Sequence, residues 1–149
     1  MKIILIVTSL FCAAVHASPL APGQYIVSAT SSSGHQKLEA ASIQQDDNGH
    51  WSITLDLDVS VKIPLTVMKR ERVGVDYAAG ITSLRLDNGT VATCVFRGNF
   101  ASGMPYSKGY LDVYFDSEPE KPHRVWNLLI KPISAVETDL QNLRKAEQD

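Results

Sequence analysis

The sequence predicts a mainly β domain: an antiparallel β-sandwich or small β-barrel of about seven to eight strands with a C-terminal α-helix packed on the sheet. Three observations carry that expectation. Apolar residues alternate with polar ones from Trp51 to Val67, glycine-bearing turns separate short β-rich runs, and a helical apolar stripe follows the last such run.

The chain opens with a different signal. Lys2 precedes the largely apolar run Ile3 to Ala14, and Val15-His16-Ala17 forms a small-residue cleavage pattern. Residues 1–17 are therefore expected to be a secretory signal peptide, leaving 18–149 as a single β-rich globular domain that acts outside the producing cytoplasm, extracellular or periplasmic according to organism. No later stretch approaches the roughly 20 apolar residues of a membrane span. Of the two cysteines, Cys12 departs with the leader and Cys94 remains. The domain is thus expected to hold together by core packing without an internal disulfide, and Cys94, set in Thr93-Cys94-Val95-Phe96, reads as a small buried apolar residue.

In chain order, strands are expected at Gln24 to Ala29, Lys37 to Gln45, Trp51 to Val67, Ile81 to Leu86, Val91 to Arg97, Gly109 to Asp116 and His123 to Lys131. The third run is the clearest. Its odd positions Trp51, Ile53, Leu55, Leu57, Val59, Val61, Ile63, Leu65 and Val67 are apolar, which marks one buried face and one wet face. A straight strand of that length would reach roughly 56 Å, far beyond a domain whose radius of gyration is near ~14 Å. The run must bend or turn, with Asp56 to Ser60 the favoured place. Unbroken parity favours a bent strand or a three-residue turn, because a two-residue hairpin would switch the buried face.

Asp46-Asp47-Asn48-Gly49 and Asp87-Asn88-Gly89 read as hairpin turns whose Asn-Gly steps supply positive φ. Lys69-Arg70-Glu71-Arg72 reads as a solvated loop, and Tyr77 with Ala78-Ala79-Gly80 as a second loop at one end of the sheet. The last strand, Arg124 to Ile130, is apolar on both faces, so something must cover its outer side. Ser134-Ala135-Val136-Glu137 has the form of a capping box, and Ile133, Val136, Leu140 and Leu143 recur along one side of a helix over about 134–146. That helix is expected to pack outside the sheet, around Trp126 or Val125.

Charge and motifs exclude more than they establish. With 14 Lys and Arg against 16 Asp and Glu, a formal net charge of −2, the chain has no overall field for a phosphate backbone, so nucleic acid is not expected as a partner. There is no Gly-x-Ser-x-Gly elbow, no His-Glu-x-x-His, no phosphate-binding glycine loop and no metal-ligand spacing among His35, His50 and His123. No cofactor and no metal are expected. Asp56 and Asp58 would project from one strand face about 7 Å apart, the separation a carboxylate-dependent glycoside hydrolase can use, and Asp112 with Asp116 raises the same idea. A solvated strand face accounts for both pairs.

The connection from Gly98 to Lys108 stands apart, because hairpin loops usually need only about two to five residues. It carries Phe100, Met104, Tyr106 and Lys108 among glycines; the apolar ones are either tucked under the loop as an internal cluster, which is favoured, or presented to a partner, and on the second reading these four residues are the partner-binding set. Asn88-Gly89-Thr90 matches an N-glycosylation acceptor on an exposed turn. The preferred function is accordingly a secreted, non-enzymatic interaction protein (inhibitor, effector or adhesion-type module) whose loops contact an unidentified protein or glycan. The first alternative is a small apolar ligand carrier with a lipocalin-like barrel. Gly23-Gln24-Tyr25 on a first strand, with a helix against the sheet, is faintly similar to the lipocalin group, although Tyr25 stands where tryptophan is usual. The second alternative is the carboxylate hydrolase.

Overall fold

A computed structural model describes residues 19–57 and 59–148. The expected leader and Asp58 lie outside the described residues. Eight strands run β1 (Gly23–Ser31), β2 (Gln36–Gln45), β3 (Trp51–Asp56), β4 (Ser60–Arg70), β5 (Val75–Arg85), β6 (Val91–Ala101), β7 (Ser107–Phe115) and β8 (Arg124–Pro132), followed by helix α1 (Ile133–Ala146). Each strand pairs antiparallel with the next, and β8 pairs with β1, so the sheet closes on itself as a barrel. Closure removes the unpaired edges that a sandwich would leave exposed.

The long alternating run divides as its parity requires. Asp56 pairs with Ser60, and the three positions 57–59 connect β3 to β4. Odd residues therefore face inward on both strands. Ile53 lies opposite Ile63 and Leu55 opposite Val61, all buried. The barrel interior is filled by bulky side chains, among them Trp126, Phe96, Phe100, Ile53, Ile63, Leu111 and Leu128. Cys94 is buried with them.

Three hairpins share one turn chemistry. In β2–β3 the Asp46 N–H donates to the His50 carbonyl (2.9 Å) and Gly49 N–H to the Asp46 carbonyl (3.0 Å). Leu86 with Thr90, and Ser31 with His35, repeat the pattern around Gly89 and Gly34. Only the glycines take positive φ, at 82° for Gly49 and 84° for Gly89, while Asn48 and Asn88 do not. The turns are thus wider than a two-residue Asn-Gly hairpin, a turn closed by one left-handed glycine.

Several sequence expectations need correction. β5 runs from Val75, so Tyr77 and Ala78-Ala79-Gly80 belong to a central strand and not to a loop. At Gly80 the β4 backbone leaves no room for a side chain: a Cβ there would lie 2.0 Å from the Pro64 carbonyl oxygen. Lys69 and Arg70 end β4, and only Glu71–Val73, a short 3₁₀ turn, and Gly74 connect it to β5. The expected long connection after Gly98 also shortens, because β6 continues to Ala101 and β7 begins at Ser107.

The helix departs most from expectation. Trp126 points into the barrel and is fully buried, so it cannot be what α1 covers. No α1 residue is buried: Ile133, Ala135 and Val136 are half-covered at the barrel end, while Leu140 and Leu143 are exposed. The capping box does not form. Pro132 occupies the N-cap position with no side-chain cap bond, and Ser134 lies inside the helix, where its carbonyl accepts from the Thr138 hydroxyl (3.0 Å). An ion pair between Lys131 and Asp139 ties α1 to β8.

Alternating connections sort the molecule into two ends. One end carries 32–35, 57–59, 86–90 and 116–123. The other carries 46–50, 71–74, 102–106, the start of α1 and the segment 19–22. That segment plugs its end of the barrel: Leu20 is buried, its N–H donates to the buried Asp76 carboxylate (3.1 Å), and the Tyr25 hydroxyl donates to the Ala21 carbonyl (2.5 Å).

Candidate functional site

The predicted partner-binding residues fall into two environments. Phe100 is a core residue, 1% exposed, and not part of a contact loop. It continues the inward series Phe96, Gly98, Phe100 on β6, where Gly98 leaves the room the two rings need: a Cβ at 98 would lie 2.7 Å from the Phe100 ring and 2.8 Å from the Phe96 ring. Glycine and asparagine in this stretch read as loop chemistry in the sequence, but the structure uses Gly98 for packing. Met104, Tyr106 and Lys108 are exposed. Met104 and Tyr106 border a cavity of about 200 Å³ whose floor includes Tyr25, Phe100 and Ile130. Lys108 stands on the outer wall of β7.

That outer wall holds residues the sequence reading missed. Strand register places Met68 opposite Tyr77, Tyr77 opposite Asn99, Asn99 opposite Lys108 and Lys108 opposite Leu129, in one row across β4 to β8. The next row holds Ala79, Arg97 and Tyr110, and the row beyond holds Ile81, Val95 and Asp112. Met68, Tyr77, Ile81, Tyr110 and Leu129 are all exposed, Ile81 by 64%. Exposed large apolar residues scattered singly need no explanation, but a contiguous group marks a contact surface. A signal was present in the sequence: Val75, Tyr77, Ala79 and Ile81 make the second face of β5 apolar, just as Val125 and Leu129 do for β8.

Two guanidinium groups organise this wall. Arg70 lies over the Tyr77 ring at 4.9 Å, and Arg97 over Tyr110 at 5.7 Å. Arg97 also donates to Asp112 Oδ2 at 3.2 Å, while Asp112 Oδ1 is buried with no hydrogen-bond partner among the described residues. The opposite wall differs in kind. Gln24, Gln44, Ser52, Lys62, Pro64 and Trp51 line an open groove of about 570 Å³ beside the 46–50 turn. The acid nearest that groove serves the turn, since Asp46 Oδ1 accepts from the N–H of Asn48 (2.9 Å) and of His50 (2.8 Å), with His50 Nδ1 3.2 Å from Oδ2. The His50 N–H bond above all holds the Asp46 carboxyl below its ordinary pKa.

The remaining candidates do not assemble into a catalytic centre among the described residues. Asp56 is exposed at the end of β3, and its proposed companion Asp58 lies outside the described residues. Asp112 is engaged by Arg97 on the outer wall, whereas Asp116 is exposed past the end of β7. His123 stacks on Phe115 with ring centroids 4.3 Å apart, and no group of three metal-ligating side chains occurs among the described residues. Asn88 is exposed at the 86–90 turn, its Oδ1 accepting from Thr90 N–H at 3.0 Å. Tyr25, buried beneath the 19–22 plug, has its phenol pKa raised by desolvation, against the lowering effect of its bond to Ala21. No helix among the described residues is long and apolar enough to cross a membrane. No family model matches the chain, and neither the curated proteins nor the solved structures contain a match.

Proposed function

We propose that this chain is a secreted, non-enzymatic binding protein, of the inhibitor, effector or adhesion-module kind, that holds a macromolecular partner against the outer wall of β4 to β8. The observation that carries the reading is the set of exposed side chains Met68, Tyr77, Ile81, Tyr110 and Leu129 on one wall, with Arg97, Asn99 and Lys108 interleaved among them in the strand register and Tyr106 at the end of the wall. Tyrosine, methionine and arginine are the residues enriched at protein interfaces, and this wall combines all three. A protein partner fits better than a glycan, because Arg70 and Arg97 already occupy one face each of Tyr77 and Tyr110, the rings a sugar would stack on. A glycan on Asn88 would project from the far end of the barrel and leave the wall free. The carrier alternative requires interior space that Trp126, Phe96 and Phe100 fill.

Native mass spectrometry of the protein exported by its own source tests the reading. Wild type should carry a protein partner that the triple variant Tyr77→Ser, Ile81→Ser, Tyr110→Ser loses and that Gln44→Ala, Ser52→Ala on the opposite wall retains. A partner held equally by all three would place the contact elsewhere, and a retained small-molecule mass would favour the carrier.

A further inference from the structure

We infer that the barrel end carrying the 71–74 and 102–106 connections seats on the surface of an anionic lipid bilayer, a use separate from the wall contact proposed above. Two apolar tips stand side by side there. Ser102 N–H and its hydroxyl both donate to the Gly74 carbonyl, at 2.9 and 3.2 Å, which fixes the two connections against each other. Val73 on one tip is 67% exposed and Met104 on the other 57%. Phe100 and Leu20 are buried at this end, and Met104 borders the cavity above Phe100 without being buried itself.

Cations collar these tips. Lys69, Arg70 and Arg72 flank Val73 in the chain, and Lys108 follows Met104 on β7; all four are exposed, and none forms an ion pair among the described residues. Glu71 is the one acid in that stretch. The other acids of this end are Asp76, buried opposite Lys69 and accepting from Leu20 N–H, Asp46 and Asp47 on the β2–β3 turn across the barrel mouth, and Glu137 in α1. The opposite end carries Asp87, Asp116, Glu118 and Glu120 on its connections, against Lys121, which pairs with Glu118. A chain of net negative charge therefore presents a basic sector with aliphatic tips at one end and acids at the other, a polarity that orients it on an anionic surface.

A bilayer matches the order of the side chains better than a soluble polyanion does. Interfacial binding combines buried apolar area with attraction to anionic headgroups. Val73 and Met104 sit on the connections themselves, and Met68, Tyr77 and Lys108 share one strand row just inside them, so Tyr77 and Lys108 fall at headgroup depth when the tips are inserted. A soluble polyanion would use the cations and leave the tips without a role. Because Asp46 and Asp47 share this end, the barrel must tilt toward its β4–β7 side.

Cosedimentation of the exported protein with vesicles provides the test. Vesicles of one part phosphatidylglycerol to two parts phosphatidylcholine should carry the protein down, and pure phosphatidylcholine should not. Salt that shortens the Debye length to ~3 Å should release it. Val73→Asp with Met104→Asp should abolish sedimentation without moving the melting temperature, and Arg72→Gln or Lys108→Gln should each weaken partition about fivefold. Equal binding to neutral vesicles, or unchanged binding by the tip variant, would overturn the inference. Heparin binding that survives the tip substitutions would assign the cations to a soluble polyanion. A wall variant reduced to Ile81→Ser, Tyr110→Ser keeps the tips, the collar and Tyr77, so its loss of a protein partner is read independently of the vesicle result.

Discussion

β1 to β4 turn Gln24, Ser42, Gln44, Ser52 and Thr54 outward, whereas β5 to β8 turn outward Tyr77, Ile81, Val95, Tyr110 and Leu129. Both halves line the same interior with apolar side chains. Ile53, Leu55 and Ile63 come from the first half, and Phe96, Leu111, Trp126 and Leu128 from the second. Folding requires only the inner faces to be apolar, since a wetted outer face is the ordinary state of an antiparallel sheet. The first half keeps to that economy apart from the exposed Leu38 on β2 and Met68 near the end of β4, whereas in the second the exposed apolar residues recur on three of its four strands. The surplus apolar residues on β5 to β8 serve neither core nor helix packing, because α1 leaves Leu129 exposed. On the proposed reading their use is external.

If the halves differ in this way, substitutions inside should be costly in both and substitutions outside nearly free in both. The largest expected effect is inside. Phe100→Ala and Trp126→Ala should each lower stability by about 3–5 kcal/mol, read from urea midpoints at unchanged slope. A loss below about 1 kcal/mol for Phe100 would return that ring to the surface and restore it as a contact residue.

The next effect concerns the glycines that permit close approach. Gly80→Ala and Gly98→Ala should cost about 1–3 kcal/mol each, since the added carbon meets the Pro64 carbonyl in one case and two phenyl rings in the other. Gly89→Ala probes a different property of glycine: nothing lies within 4 Å of its Cβ position, and the strain comes from its φ of 84° alone. Thermal unfolding of the three variants separates crowding from backbone strain.

A smaller effect depends on pH. Burial raises the Tyr25 phenol above its ordinary value of 10.0, so the folded state holds that proton more tightly than the unfolded chain does. Its contribution is complete below pH 10 and declines as pH rises through the folded value. Tyr25→Phe, which also removes the bond to Ala21, should cost about 1 kcal/mol at neutral pH and flatten the alkaline decline. Asp46 has the opposite sign. Its lowered pKa makes the 46–50 turn most favourable above the ordinary 3.8, and that share is lost as pH falls through the folded value.

The same contrast explains what the sequence could show. Between Trp51 and Val67 polar and apolar residues alternate, so strand, parity and even the three-residue connection were readable from spacing. In Val75-Asp76-Tyr77-Ala78-Ala79-Gly80-Ile81 both faces are apolar or small, and the one charged residue, Asp76, points inward to hold Leu20. Period-two reasoning has nothing to detect there, so a central strand passed for a loop. The capping box failed for a related reason: Ser134 and Glu137 have the right spacing, but Pro132 already sets the entry to the helix. In the connection after Gly98, glycine and proline marked a loop but left open whether its apolar side chains tuck under it or face out, and the structure divides them, with Phe100 buried and Met104 and Tyr106 exposed. The apolar second face of β5 was present in the sequence, but its meeting with Tyr110 and Leu129 depends on strand neighbours far apart in the chain, which the register supplies.

The smallest expected effect on stability discriminates most about function. Tyr77→Ser with Ile81→Ser removes two large side chains from the outer wall, and neither contributes to the buried core. If these residues exist for folding, the double variant should lose well over 1 kcal/mol, because β5 would forfeit cross-strand packing against Met68 and Val95. If they exist for contact, urea unfolding should place the variant within about 0.5 kcal/mol of wild type, as for other surface substitutions. Solubility at high concentration should then rise, since an exposed apolar group that promotes association has been removed. A stable and more soluble variant would mean that selection has kept an apolar wall the fold does not need, and a destabilised one would reduce that wall to an unusually well-packed sheet surface.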